Sequence, residues 1–168
     1  RNSMYFIATN MGGVNILNPL KPKFDILKRQ ISESNSIRNN VIHAIVELSD
    51  GKIAFGTDKG ISIWDKKNNV WTDLGSALAA GKNNVVTSMT ISADGSLWAG
   101  YFLGNTELIT PAGKYIKLPV EIEESRNSKA MYFDDERNTF WMGHEGQLLR
   151  LLSYNFDTRT FHTFSIEE

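Results

Sequence analysis

The feature that most constrains the fold of this chain is an internal repeat with a period of about 44 residues. Asn39-Asn40-Val41 returns as Asn83-Asn84-Val85, and Asp50-Gly51 returns as Asp94-Gly95 (83 − 39 and 94 − 50). Further landmarks share this interval to within a few residues: Gly56, Gly100 and Gly143; Trp98 and Trp141; Trp71, Tyr115 and Phe161. A period of this length is typical of architectures in which each unit buries its apolar surface against the next unit.

The second repeat predicts four short antiparallel strands. Its apolar, β-branched segments are bounded by turn residues, and Ile61–Asp65 alternates with a period of two. Asp50-Gly51 can supply the positive φ that a tight hairpin requires. The strands expected in this repeat are Val41–Leu48, Lys52–Gly56, Ile61–Asp65 and Val70–Leu74. Four strands in a unit of ~40–45 residues are the pattern of a β-propeller blade.

The third and fourth repeats follow the same plan. The strands expected there are Val85–Ile91, Ser96–Gly100, Glu107–Thr110 and Lys114–Leu118, then Lys129–Phe133, Thr139–His144, Leu148–Tyr154 and Thr160–Ser165. In the first repeat, Met4–Ala8, Gly13–Leu17 and Phe24–Lys28 align with the second, third and fourth strands, so the innermost strand is missing.

The predicted fold class is therefore all-β: a partial β-propeller of about four four-stranded antiparallel blades, the first lacking its inner strand. We expect a single propeller fragment over residues 1–168. Its blades are expected at approximately 4–30 (partial), 38–75, 82–119 and 127–165.

Such an arc is expected to leave an apolar face open at each end. Propellers typically close with 4 to 8 blades. Apolar blade faces that stay exposed favour association with another surface. We therefore expect the chain to be a piece of a larger propeller. Its open faces would be covered by the remaining blades of the parent protein or by self-association of two copies.

Composition excludes several classes of protein. Lys and Arg number 18 and Asp and Glu number 19, a formal net charge of −1, so no nucleic-acid partner is expected. The longest apolar run is about five residues, against the ~20 of a membrane-spanning helix, so no membrane insertion by this segment is expected. The absence of cysteine excludes a disulfide framework, a thiolate metal site and a cysteine nucleophile. No cofactor is expected.

The segment Asp50–Ile61 resembles the repeat of two-component regulator propellers. That repeat reads roughly as Asp-x-Gly, then an apolar-Trp-apolar-Gly-Thr run, then Gly-Gly-Leu and a closing aromatic-Asp pair. Ser96–Gly100 and Phe140–Gly143 carry its Trp-x-Gly core. Ala8–Asn15 carries its Thr-x-x-Gly-Gly part, and Ile63–Asp65 carries its closing aromatic-Asp pair. The resemblance covers nearly the whole chain, in three full repeats and one partial repeat.

The resemblance implies a fragment of the periplasmic sensor region of a hybrid two-component histidine kinase. It further implies detection of polysaccharide-derived oligosaccharides and signalling through a dimer, with no catalysis in this segment. The alternative is a protein-interaction propeller scaffold without small-ligand sensing. A lyase or hydrolase propeller would need carboxylates or histidines clustered at the channel mouth, and the sequence offers no such constellation.

Two groups of residues are candidates for ligand binding. Arg38, Lys82 and Arg126 precede inner strands at intervals of 44 residues (82 − 38 and 126 − 82), so three cations on one propeller face could bind an acidic sugar or a sulfate. Tyr101 and Phe102 stand where the resembled repeat has Thr, and they are candidates for an exposed aromatic platform. Solvated surface side chains are the alternative interpretation of the cations.

Other conspicuous residues favour structural roles. Trp98 and Trp141 recur at one repeat position, which favours packing between blades. Asp134-Asp135-Glu136 is expected to be a solvated hairpin tip, since a calcium loop needs more widely spaced oxygens. The histidines occupy unmatched repeat positions, so no shared metal site is expected: His43, His144 and His162.

Overall fold

The computed structural model describes residues 4–17, 24–74, 84–102, 106–116, 118–119, 128–144 and 150–165. These residues form fifteen β-strands and contain no helix. The first sheet contains β1 (Tyr5–Thr9), β2 (Gly13–Leu17) and β3 (Phe24–Leu27). The second contains β4 (Ile42–Glu47), β5 (Ile53–Thr57), β6 (Gly60–Asp65) and β7 (Val70–Leu74).

The third sheet contains β8 (Val86–Ile91), β9 (Leu97–Tyr101), β10 (Thr106–Ile109) and β11 (Tyr115–Ile116). The fourth contains β12 (Ser128–Asp134), β13 (Thr139–His144), β14 (Arg150–Asn155) and β15 (Thr160–Ser165). In every sheet the strands pair antiparallel in chain order, so each sheet is a meander.

Contacts between sheets follow the order of the chain. Strand β4 contacts β8, and β8 contacts β12, so the first strands of the last three sheets are neighbours around one axis. The second strands β5 and β9 each contact the first strand of the next sheet, and β1 contacts β4 in the same way. Strand β1 therefore occupies a second-strand position, and no described strand occupies the innermost position of the first sheet. The structure confirms the predicted partial propeller.

The recurring Asp-Gly pair forms the hairpin between the first two strands of a sheet. In the second sheet, Leu48 N donates to Lys52 O at 2.8 Å, and Gly51 has a φ of 80°. In the third sheet, Ser92 N donates to Ser96 O at 3.1 Å, and Gly95 has a φ of 82°. A three-residue hairpin with a left-handed third residue favours glycine, and this requirement explains the repeated pair.

One hydrophobic cluster lies between each pair of consecutive sheets. Between the first and second sheets the buried side chains are Val14, Ile16, Ile37, Ile42, Ile53, Phe55 and Trp64. Between the second and third they are Ala54, Ile61, Val86, Met89, Leu97, Ala99, Tyr101 and Ile109. Between the third and fourth they are Trp98, Leu118, Phe140, Met142, Leu152 and Tyr154. A sheet in this fold is thus stabilised mainly by its neighbours.

Candidate functional site

The predicted cationic face is only partly within the described residues. Arg38 lies in the segment before β4, where its Nη1 is 3.8 Å from Asp73 Oδ2 and its backbone N donates to Ser62 Oγ at 3.1 Å. Its guanidinium therefore lies against the outer strands of the second sheet. Lys82 and Arg126 fall outside the described residues. A shared anion site of these three cations stays a prediction.

The structure separates the two residues of the predicted aromatic platform. Tyr101 is 4% exposed and its hydroxyl donates to Glu107 Oε2 at 2.8 Å. The expectation that Tyr101 is an exposed platform is therefore wrong. Strand β9 continues through Tyr101, and the alternation of side chains turns its ring into the interface with the second sheet. Phe102 follows the strand and is 38% exposed, so it stays a candidate.

A β-bulge recurs at the start of the first strand in the last three sheets. The register of pairing shifts at His43, Thr87 and Lys129. His43 Nε2 lies 2.7 Å from Asp58 Oδ1, and Thr87 Oγ1 donates to Ser128 O at 2.5 Å. Bulges re-aim side chains and often border functional sites. A bulge inserts one residue without a distinctive residue type, so the amino-acid sequence did not indicate these bulges.

The described ranges contain no cluster of three or more His, Cys, Asp or Glu side chains that could hold a metal ion. Within the same part of the chain, no helix has the length and apolarity to span a bilayer.

A cleft opens between the third and fourth sheets, at the edge where the hairpins lie. Its volume is about 410 Å³, within the range of small-molecule sites. Three aromatic rings line its wall, and polar side chains of two hairpins form its rim. The rings belong to Trp98, Phe133 and Phe156, and the rim includes Ser92, Asp94, Ser96, Asp135 and Asn138.

The aromatic wall is a packed cluster centred on Trp98. The Trp98 ring stacks on Phe140 at a centroid distance of 4.3 Å and on Phe133 at 5.4 Å, and Phe156 meets it edge-on at 5.7 Å. Trp98 is 2% exposed, and its Nε1 donates to Ser92 Oγ at 3.3 Å. Trp98 thus supports the wall from behind, as its repeat position predicted, while Phe133 and Phe156 are half-buried and border the cleft.

The rim of the cleft carries two carboxylates. Asp94 accepts hydrogen bonds from Ser92 Oγ at 2.7 Å and from the backbone N and Oγ of Ser96, each at 2.9 Å. These hydrogen bonds, chiefly that from Ser92, hold the pKa of Asp94 below its usual value. Asp135 Oδ1 accepts from Ala93 N at 2.7 Å and so joins the hairpins of the two sheets. The rim therefore offers acceptors and hydroxyl groups and is negatively charged at neutral pH.

The corresponding edge between the second and third sheets has a smaller cavity of about 230 Å³, whose apolar side chains are aliphatic and not aromatic. The hairpins of these two sheets approach closely at Gly95. A Cβ there would lie 2.7 Å from Ser49 Oγ and 3.2 Å from Pro111 Cγ. The two edges are equivalent in the repeat but differ in size and chemistry, which makes the larger, aromatic cleft the stronger candidate site.

The fan of four antiparallel sheets defines the chain as an arc of a β-propeller. No family model matches its sequence, and no curated protein does. Among solved structures, the extracellular domain of the hybrid two-component system BT3049 from B. thetaiotaomicron is similar, with 20% identity and a TM-score of 0.75. That similarity covers 98% of this chain and 22% of that domain.

Two further solved structures have the same fold. The extracellular domain of the hybrid two-component system BT4673 from B. thetaiotaomicron matches 100% of this chain and 22% of its own length, with 17% identity and a TM-score of 0.80. An auxiliary nutrient binding protein from Bacteroides ovatus matches 99% of this chain and 39% of its own length, with 9% identity and a TM-score of 0.65. At these identities the likeness shows a shared fold. This chain spans less than two fifths of the length of each of these proteins.

Proposed function

We propose that this chain is a non-catalytic part of the periplasmic sensor region of a hybrid two-component histidine kinase. In this proposal the region detects polysaccharide-derived oligosaccharides and signals through a dimer. The observation that carries the proposal is the match of nearly the entire chain to the extracellular domains of two hybrid two-component systems. The repeat motifs of the sequence resemble the same family.

The cleft between the third and fourth sheets supports a sugar as the ligand. A pyranose ring has an apolar C–H face and a hydroxyl edge. Half-buried Phe133 and Phe156 offer aromatic surface to the former. Asp135, Asn138 and the Asp94 hairpin offer acceptors to the hydroxyl groups. Carboxylates line this cleft, and none of its described lining residues is a cation. The cleft therefore favours neutral over acidic sugars.

The experiment is a thermal-unfolding screen of the intact extracytoplasmic region against neutral and sulfated oligosaccharides. A neutral fragment present at about 100 times its Kd should stabilise the protein by about 2.7 kcal/mol. Phe156→Leu keeps an apolar side chain but removes the ring, so it should abolish the shift in Tm. Phe102→Leu removes the exposed ring of the other aromatic candidate, which lies outside the cleft, and is measured in parallel.

The outcomes separate the proposals. No shift with any fragment would contradict sugar sensing and would favour the scaffold alternative. A shift that Phe102→Leu abolishes, and Phe156→Leu leaves intact, would place the ligand away from the cleft. A shift with sulfated fragments alone would favour the predicted cationic face over the acidic cleft.

A further inference from the structure

We infer that the cleft between the third and fourth sheets selects sugars that carry a free, protonated amino group. Asp94 and Asp135 would bind the ammonium group, and the rings of Phe133 and Phe156 would pack on the sugar ring. The inference rests on the proposed function, because it names the class of sugar that the same cleft would take. It can fail by itself, since a cleft that binds neutral sugars need not prefer an amine.

The rim of the cleft has an excess of negative charge. Three hairpins contribute residues to its lining, at 92–96, 134–138 and 155–160. Together they contain five acidic and two basic side chains, a formal charge of −3, whereas the whole chain has a formal charge of −1. A concave surface that concentrates charge of one sign attracts ligands of the opposite sign.

Comparison of two equivalent hairpins shows where part of this excess arises. In the second sheet, Asp50 Oδ2 lies 2.6 Å from Lys52 Nζ, so an ion pair compensates the charge of the carboxylate. In the third sheet Asp94 is the equivalent of Asp50, and Ser96 stands in the place of Lys52. The Ser96 hydroxyl donates to Asp94 Oδ2 at 2.9 Å but brings no positive charge. The charge of Asp94 therefore stays available to a ligand at the larger cleft.

Both carboxylates are held in place and can accept further hydrogen bonds. Asp135 Oδ1 accepts from Ala93 N at 2.7 Å, which places its carboxylate beside the residue that precedes Asp94. Asp135 is exposed, and its Oδ2 accepts no hydrogen bond from the described residues. An ammonium group has three donors and a carboxylate has about four acceptor sites. Hydrogen bonds between such ionised partners are roughly twice as strong as those between neutral groups.

The aromatic wall of the cleft also suits a cationic sugar. The faces of phenylalanine rings attract cations and pack on apolar C–H groups. Phe133 and Phe156 are half-buried on this wall, and their ring centroids are 6.0 Å apart. An amino sugar would present its apolar face to the wall and its ammonium group to the rim.

Other ligands match only part of this lining. A metal ion would use the carboxylates and not the aromatic wall. A sulfated or carboxylated sugar would place negative charge beside Asp94 and Asp135. An N-acetylated sugar keeps the apolar ring face but has neither the charge nor the three donors of the free amine. The free amine is thus the substituent that engages both the rim and the wall.

The test measures the binding of three sugars to the intact extracytoplasmic region by titration calorimetry and thermal unfolding. The probes are glucosamine, N-acetylglucosamine and glucose, each as the monosaccharide and as the β-1,4-linked tetrasaccharide. The glucosamine probes should bind about tenfold more tightly than the other two, because a hydrogen bond to a carboxylate is stronger when the donor is charged. This preference should weaken in about 1 M salt, which screens exposed charges beyond about 3 Å.

The variant Asp135→Asn separates charge from shape. Asparagine keeps an oxygen that can accept from Ala93 N, so the hairpins stay joined while the charge is lost. This variant should lose about tenfold in affinity for glucosamine and keep its affinity for N-acetylglucosamine and glucose. Asp50→Asn removes a carboxylate from the equivalent hairpin of the second sheet and is the matched control. It should leave all three affinities unchanged.

Three results would overturn the inference. These are equal affinities for the three sugars, an equal loss for all three in Asp135→Asn, and a loss in Asp50→Asn as large as that in Asp135→Asn. If neutral fragments bind in the cleft without any preference for the amine, the inference fails and the proposed function stands. If no sugar binds at all, both fail.

Discussion

Replacing each of two equivalent tryptophans by alanine tests how much a neighbouring blade contributes to stability. Trp98 and Trp141 occupy the same position in consecutive repeats, and both point toward the place of the following sheet. Trp98 is covered by the fourth sheet, whereas Trp141 lies on the side of the fourth sheet that faces away from the third. Trp98→Ala should therefore cost far more free energy of unfolding than Trp141→Ala.

The structure sets the expected magnitudes. Trp98 is 2% exposed and has ring contacts with Phe140, Phe133 and Phe156, so its truncation should cost about 3–5 kcal/mol. Trp141 is half-buried and stacks on Phe164, so its truncation should cost roughly 1–2 kcal/mol. For a domain of this size each kcal/mol corresponds to about 2–4 °C in Tm.

The assay is urea unfolding of this chain, followed by circular dichroism, with the midpoints compared at equal slope. Trp98→Phe is a control that keeps an aromatic ring and loses the hydrogen bond to Ser92, so it should cost less than Trp98→Ala. Equal losses for the two alanine variants, or a larger loss at Trp141, would refute the stacking of the third sheet on the fourth.

Two further predictions concern pH and association. Hydrogen bonds lower the pKa of Asp94 in the folded state, so its contribution to stability is present above the unfolded value of 3.8 and is lost as pH falls through the folded value. Asp94→Ala should thus lower the free energy of unfolding at pH 7, and this loss should shrink below pH 3.8. A loss that is constant with pH would contradict the stabilising role of the hydrogen bonds to Asp94. The open apolar faces should make this chain dimeric or larger by light scattering. A monomer that is stable to heating would count against the predicted exposure of those faces.

Much of the fold could be predicted because its determinants are local and repeated. The Asp-Gly pairs specify the hairpins, and alternating β-branched segments specify strands such as β6 and β7 to within a residue. Comparison of the repeats also showed that the first sheet lacks an inner strand. Gly56 and Gly100, landmarks of the repeat, lie where a Cβ would meet the first strand of the next sheet, a contact that the repeat alone does not indicate.

The candidate site was harder to predict because it combines different repeats. Phe133 and Phe156 border the cleft only because the fourth sheet packs against Trp98 of the third, and no motif within one repeat contains that information. Tyr101 was misjudged for a related reason. The exposure of Tyr101 depends on where β9 ends and on which neighbouring sheet the Tyr101 side chain faces. A run of aromatic residues in one repeat, opposite a buried tryptophan in the preceding repeat, is the signal that would have pointed to the cleft.

An engineered disulfide cross-link shows whether consecutive sheets stack side by side. Ser88 Oγ and Ser128 Oγ, on the first strands of the third and fourth sheets, are 2.9 Å apart. The chain has no cysteine, so the double variant Ser88→Cys/Ser128→Cys contains only the introduced pair. Ser153 is a buried serine on the opposite side of the fourth sheet, and Ser88→Cys/Ser153→Cys is the matched control. Mild oxidation should form an intramolecular disulfide in the first variant and none in the control; a disulfide in the control alone, or in neither, would contradict the stacked arrangement.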